Sequence, residues 1–230
     1  MKKYVLANWK SHKSLAEAEE WLATFCRQYR PDPAVEVIIA PPAPYLFPLR
    51  QRLEEQNTAQ LHLAVQDLSP FPLGAYTGAI AAEMVRDLVE YALVGHSERR
   101  RYFHETNQEV ANKISEAVAV GIKPVVYVDR SHAAAQIAAV SDADQKELII
   151  GYGPLEAIGM DIPQSPELAA EAVAHIHKLA PACPVLYGGS INATNAGQYM
   201  RIPGLAGLLV GHASLDPEEF SSICRQVSGA

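Results

Sequence analysis

Tyr91-Ala92-Leu93-Val94-Gly95-His96-Ser97-Glu98-Arg99-Arg100 changes character halfway along its length. Four apolar residues in a row read as a short strand covered on both faces, since a strand with one wet face would alternate. The polar residues after Gly95 read as a strand exit that leads into a helix start. A few positions on, Thr106-Asn107-Gln108-Glu109 sets up a capping box, and Val110, Ile114, Ala117 and Val118 follow at helical spacing. The unit is strand, polar loop, helix.

The same unit recurs in both directions. Short apolar runs, many of them β-branched, cover Tyr4 to Ala7, Val35 to Ala40, Leu61 to Val65, Pro124 to Val128, Leu148 to Ile150, Val185 to Tyr187 and Gly207 to Val210. With Tyr91 to Val94 they make eight expected strands. Between them, Ser14-Leu15-Ala16-Glu17 forms a second capping box ahead of Leu15, Ala18, Leu22 and Phe25. Ser165-Pro166 and Asp216-Pro217 each put an N-cap residue before a proline at the first helical position, and Phe220, Ile223, Cys224 and Val227 give the last helix its stripe. Helical signals are weakest over Ala81 to Leu88 and His132 to Val140. The proline- and glycine-rich stretches Pro41 to Pro48 and Ser69 to Gly78 do not interrupt the alternation, so neither reads as a domain linker.

Strict β-then-α order implies a parallel sheet. Eight units in 230 residues favour one α/β domain, a closed (β/α)8 barrel spanning residues 1–230, over an open doubly wound sheet. The absence of G-x-G-x-x-G after the first run weakens the dinucleotide-binding alternative. In such a barrel the chemistry gathers where the strands end.

The net charge of −7 and the lack of any basic run beyond Arg99-Arg100-Arg101 argue against a nucleic-acid or anionic-membrane surface. A small anionic substrate answers to local groups and stays open. Cys26, Cys183 and Cys224 lack metal-ligand spacing and read as structural thiols. The apolar run after Met1-Lys2-Lys3 stops at Asn8-Trp9-Lys10, too short for a signal peptide, and no stretch reaches membrane-spanning length. A cytoplasmic protein is expected.

Among the strand exits, Asn8-Trp9-Lys10 follows the first strand. His96 stands where the fourth strand meets a helix start, and helix N–H groups there disfavour a protonated imidazole. A neutral ring is able to donate to a substrate carbonyl. Tyr187-Gly188-Gly189-Ser190 follows the seventh strand, with a helix start expected near Asn192, and Val210-Gly211-His212 follows the eighth. These two loops are a frequent phosphate site in such barrels.

Asn8-Trp9-Lys10, Gly74-Ala75-Tyr76-Thr77-Gly78, Gly95 to Arg100, Ala157-Ile158-Gly159, Tyr187-Gly188-Gly189-Ser190 and Leu209-Val210-Gly211 stand in the order of triosephosphate isomerase motifs, and the chain resembles that family from about Lys3 to Leu215. The short segment between Tyr127 and Ile150 is similar to the compact archaeal-type members. The resemblance implies an isomerase that interconverts dihydroxyacetone phosphate and glyceraldehyde 3-phosphate through an enediol, in glycolysis and gluconeogenesis. It gives Lys10 a place near the substrate oxygens, Asn8 a positioning role and His96 the electrophile's role, with Glu98 in the supporting network. Gly159, Gly188, Gly189, Ser190 and Gly211 would hold the phosphate, and Thr77 would lie on a loop reaching into a partner of a homodimer or higher oligomer. No metal or organic cofactor is implied.

The resemblance breaks at the sixth strand end. The family carries Glu-Pro there; this chain reads Ile150-Gly151-Tyr152-Gly153-Pro154-Leu155-Glu156-Ala157-Ile158-Gly159, which puts Gly153 at the catalytic base. Glu156 is the one nearby carboxylate that would act as a substitute base, although a loop role suits it better; Asp161 is a weaker candidate. Tyr127-Val128-Asp129 replaces a cysteine-containing stretch, and His212 replaces a glycine, where its Cβ would clash if the backbone needed positive φ or its imidazole would instead add a donor to the phosphate. Three readings stay open: an isomerase of triose phosphates or a related sugar phosphate; a non-catalytic barrel that kept the phosphate site; and a different phosphate-handling enzyme using Tyr152, Glu156 or His212.

Overall fold

The computed structural model describes residues 2–56, 58–154 and 163–229. Eight parallel strands close into a barrel in sequence order, with the eighth paired to the first. The strands are β1 Lys3–Asn8, β2 Val35–Ala40, β3 Leu61–Val65, β4 Tyr91–Val94, β5 Lys123–Val128, β6 Ile149–Tyr152, β7 Val185–Tyr187 and β8 Leu205–Val210. Among the described residues the helices between and after them are α1 Leu15–Gln28, α2 Leu46–Gln56, α3 Ala82–Val85, α4 Ser97–Tyr102, α5 Asn107–Ala119, α6 Ala133–Ala138, α7 Asp142–Gln145, α8 Pro166–Leu179, α9 Ala196–Tyr199 and α10 Pro217–Ser228. The expected (β/α)8 barrel is therefore present.

Side-chain alternation divides the core in two. Tyr4, Leu6, Ile38, Leu93, Val125, Ile149, Leu186 and Leu209 fill the barrel, and a larger shell that includes Val5, Val37, Val126 and Ile150 packs beneath the helices. Each strand is buried on both faces, hence the unbroken apolar runs. Burying one Leu, Ile or Val contributes roughly 1.5–3 kcal/mol, so two shells of them outweigh any surface ion pair.

Both expected capping boxes form. Ser14 N–H donates to Glu17 Oε2 at 2.7 Å and Thr106 N–H to Glu109 Oε2 at 2.8 Å. Asp216 Oδ1 accepts from the N–H groups of Glu218 and Glu219, and Ser165 Oγ accepts from Leu168. These contacts fix where the helices leave the strand-end loops.

Several boundaries differ from expectation. The sixth strand runs from Ile149 through Tyr152, past the expected end at Ile150, because Gly151 and Tyr152 still pair with Tyr127 and Val128. The helix expected near Asn192 starts at Ala196. Asn192 Oδ1 accepts from the backbone of Thr194 and Asn195, a turn that competes with helix, and the helix that follows has four residues. A helix that short and that late gives this loop little of the dipole expected to favour an anion there. The segment expected as a helix from Ala81 to Leu88 holds the single turn Ala82–Val85.

Candidate active site

Lys10 lies two residues past the last β1 position and has a left-handed backbone, φ +51°. For a non-glycine residue this conformation costs on the order of 1–2 kcal/mol. Two side chains hold it: Asn8 Oδ1 accepts the Lys10 N–H at 3.0 Å, and Gln66 Nε2 donates to the Lys10 carbonyl at 2.9 Å. The ammonium reaches across the barrel mouth to Glu98, with Nζ to Oε1 at 2.6 Å. Both side chains are about a third exposed, so the pair fixes position more than it stabilises the fold.

His96 is the N-cap residue of α4. Its Nδ1 accepts the Glu98 N–H at 3.2 Å, which leaves the proton of a neutral ring on Nε2. Burial lowers its pKa to about 4; Glu98 pulls upward and Lys10 pushes further down. The imidazole is thus neutral near pH 7. The Tyr127 ring meets it edge-on at 4.4 Å between centroids, and a hydrogen bond joins Tyr127 to the Asn8 side chain. Asn8, Lys10, His96 and Glu98 are therefore brought together at one end of the barrel.

Salt bridges anchor the start of α4. Arg99 Nη2 lies 2.8 Å from Asp67 Oδ2 and Arg99 Nε 3.2 Å from Glu105 Oε1, while buried Lys113 pairs with both carboxylates. Burial pushes the Asp67 carboxyl up, and Lys113 opposes that.

At the end of β6 the Gly153 N–H donates to Val128 O at 3.1 Å, extending the pairing with β5. Tyr152 is buried in the shell beneath the helices and donates from its hydroxyl to Gln164 Oε1 at 3.0 Å. That placement removes Tyr152 from the barrel mouth and from the readings that used it. Gly188 N–H donates to the Tyr152 carbonyl. A Cβ on Gly189 would stand 2.5 Å from Tyr187 Oη and 2.8 Å from Pro154 Cγ, so no larger residue fits where β7 leaves the barrel. Ser190, with φ +44°, turns the chain there, and its carbonyl accepts from Asn195. Gly211 sits beside Lys10; a Cβ there would lie 3.8 Å from Lys10 Cε. His212 opens a short 3-10 helix, is exposed and does not have positive φ, so the anticipated clash does not arise. Gly159, Glu156 and Asp161 lie outside the described residues. Thr77 is exposed on the loop between β3 and α3, beside Tyr76, which stacks on Phe71 at 4.5 Å.

A cavity of about 720 Å³ opens between the exits of β4, β5 and β6. Gly153, Ser97, Glu98 and Tyr127 are on its wall. Lys10 and His96 are not; they meet it through Glu98, which takes the ammonium, and Tyr127, which lies against the imidazole. The buried Ser97 hydroxyl has no hydrogen-bond partner among the described residues. Asp129 and His132 also border this cavity. Sequence reasoning passed over Gln66, Ser97 and His132. Asp129-x-x-His132, directly after a strand, was the available signal for the last of these.

A family model described as triosephosphate isomerase matches residues 3–227. The chain is 37% identical over 248 aligned positions to a triosephosphate isomerase of Xanthomonas euvesicatoria pv. vesicatoria (strain 85-10), covering 97% of each chain. It is 34% identical over 250 positions to one of Dehalococcoides mccartyi (strain ATCC BAA-2100 / JCM 16839 / KCTC 5957 / BAV1), covering 99% of this chain and 98% of the other. To one of Shewanella sp. (strain MR-4) it is 35% identical, covering 96% and 95%.

Proposed function

This chain belongs to the triosephosphate isomerase family, and on that premise we propose that it interconverts dihydroxyacetone phosphate and glyceraldehyde 3-phosphate, or isomerises a closely related small sugar phosphate, through an enediol. The observation that carries the reading is the neutral His96 set beside the Lys10–Glu98 pair. A neutral imidazole with its proton on Nε2 donates a hydrogen bond to a substrate carbonyl and stabilises the negative charge that grows there. The Lys10 ammonium adds a positive charge near the same oxygen. Gly159, Gly188, Gly189, Ser190 and Gly211, with His212 at the rim, form the phosphate end in this reading, by analogy with the family.

The reading favoured by Gly153 instead is a barrel that binds the sugar phosphate without turning it over. A coupled assay in both directions separates the two. Turnover that falls by at least about 10²-fold in Lys10→Met, the scale of one lost electrostatic group, is expected of the enzyme. Phosphate binding in calorimetry with no turnover would instead establish the binding protein. If neither appears, both readings fall.

The chain also forms an isologous dimer, or a multiple of one, in this proposal. Phe71, Leu73 and Tyr76 expose large apolar surfaces on the loop that carries Thr77, and such a protruding patch is stabilised by a partner. Sedimentation at micromolar concentration should give at least twice the chain mass, and Tyr76→Asp with Leu73→Asp should shift it toward the monomer.

A further inference from the structure

We propose that His132, oriented by Asp129, is the proton acceptor that replaces the carboxylate missing at Gly153; this deepens the isomerase reading above and rests on it.

His132 is the residue before α6, just beyond the end of β5. Its Nδ1 lies 2.7 Å from Asp129 Oδ1. A carboxylate at that distance takes the Nδ1 proton as a donor and fixes the tautomer with the lone pair on Nε2. Nε2 has no partner among the described residues, and the side chain is 65% exposed, so the lone pair is accessible. Asp129 is held in turn. Its Oδ1 also accepts the His132 N–H at 3.0 Å, its Oδ2 accepts from Gln136 Nε2 at 3.1 Å, and its own N–H donates to Gln136 Oε1 at 3.1 Å. Asp129 and Gln136 are both buried. A base, a carboxylate that orients it and an amide that fixes the carboxylate make the arrangement a nucleophile or general base needs.

Location supplies the second observation. His132, Asp129 and Gln136 border the same cavity as Gly153, Glu98 and Tyr127. Glu98 holds Lys10, and Tyr127 lies on His96. His132 and Gly153 therefore share one cavity, and that cavity reaches Lys10 through Glu98 and His96 through Tyr127. The Asp129 contact to the His132 N–H alone is an ordinary helix cap. The ring contact and the shared cavity go beyond capping.

The step balances without any co-reactant. Nε2 takes the proton from the carbon next to the carbonyl. The C–H electron pair becomes the enediol C=C bond, and the carbonyl π pair moves onto oxygen, where His96 and Lys10 stabilise it. Asp129 stabilises the imidazolium. His96 passes its Nε2 proton to the former carbonyl oxygen and takes back the proton of the neighbouring hydroxyl. The new carbonyl closes there, and the C=C pair takes the proton from His132 Nε2 at the carbon that was the carbonyl.

Four proteins test this in the coupled assay: the unmodified chain, His132→Ala, Gly153→Glu and the double variant, with His132→Gln and circular dichroism as controls for folding. The expected result is a fall in kcat of at least about 10²-fold in His132→Ala and His132→Gln, with KM little changed, and recovery in the double variant. Glu98, Arg100, Arg101 and Glu105 also border the cavity and carry charge, so Asp129→Asn is the decisive probe of position. Losing its carboxylate should lower kcat with KM little changed, because the ring is no longer oriented and the imidazolium loses its partner. If the unmodified chain turns over and His132→Ala changes kcat by less than about threefold, against the 10²-fold or more expected of a base, the base is elsewhere and the isomerase reading survives alone. If only variants with Gly153→Glu turn over, the pocket is competent and His132 is not the base. If all four are inert, the isomerase reading fails and this inference fails with it.

Discussion

Gly153→Glu should raise the turnover of triose phosphate by about 10²-fold, the lower end of what a positioned general base contributes. Gly153 follows directly on β6 and is tied to it through the hydrogen bond from its N–H to Val128 O. A side chain there grows from the barrel wall, with few bonds to fix, whereas His132 approaches from the next loop with a largely exposed ring. Strand anchoring lowers the entropy lost on reaching the substrate carbon. The unpartnered Ser97 hydroxyl on the same cavity wall is a ready donor to the new carboxylate. The gain stays at the low end because the starting protein has an imidazole base in this reading. Gly153→Gln should bring no gain, since an amide adds the bulk and hydrogen-bonding reach without accepting a proton. Glu156→Ala should leave the rate of the unmodified chain unchanged. If that variant abolishes turnover and Gly153→Glu adds nothing, the base is Glu156.

The strand exits were legible because parallel barrels bury both strand faces and leave the polar residues at the ends. The strand exits drew notice to Asn8-Trp9-Lys10 and His96, the resemblance supplied the roles of Lys10, His96 and Glu98, and the structure brings the three side chains together. Their backbone supports were less visible. Nothing local to Gln66 shows that it bonds Lys10, some 56 residues earlier. His132 was masked by composition: it opens an alanine-rich stretch with weak helical signal, and its meaning depends on Gly153, which comes near it only when β5 pairs with β6. The end of β6 was misplaced because glycine in a strand reads as a stop, although Gly151 has its own place in the ladder. A Cβ there would lie 2.6 Å from Leu209 Cδ1 inside the barrel. The loop after β7 misled in the opposite sense, since Asn192 looks like an N-cap but turns the chain before the helix begins.

Gly207 was read as the start of the eighth strand, and the structure makes it a point of very close approach in the barrel closure. The strand starts at Leu205, and Leu205 and Gly207 pair with the consecutive residues Val185 and Leu186. Ala206 is thus the extra residue of a bulge, pointing into the barrel with Leu209. The bulge brings Gly207 against β1, where it pairs with Tyr4. A Cβ on Gly207 would lie 1.9 Å from the Tyr4 carbonyl oxygen and 2.8 Å from its carbonyl carbon. Both are backbone atoms in a paired strand, so neither swings aside as a side chain would. Gly207→Ala should therefore cost more than about 4 kcal/mol, beyond the usual range for a point substitution and a large part of a typical domain's stability. Urea denaturation against the unmodified chain measures it, and failure to accumulate as folded protein is the same result in its extreme form. Gly121→Ala is the comparison. Gly121 has φ +82° but open space around its Cβ position, so it should lose only the about 1–2 kcal/mol of a left-handed backbone. A Gly207→Ala loss no larger than that of Gly121→Ala would mean that β8 slides relative to β1 to admit a methyl group, and that the bulge does not set the register on which the barrel closes.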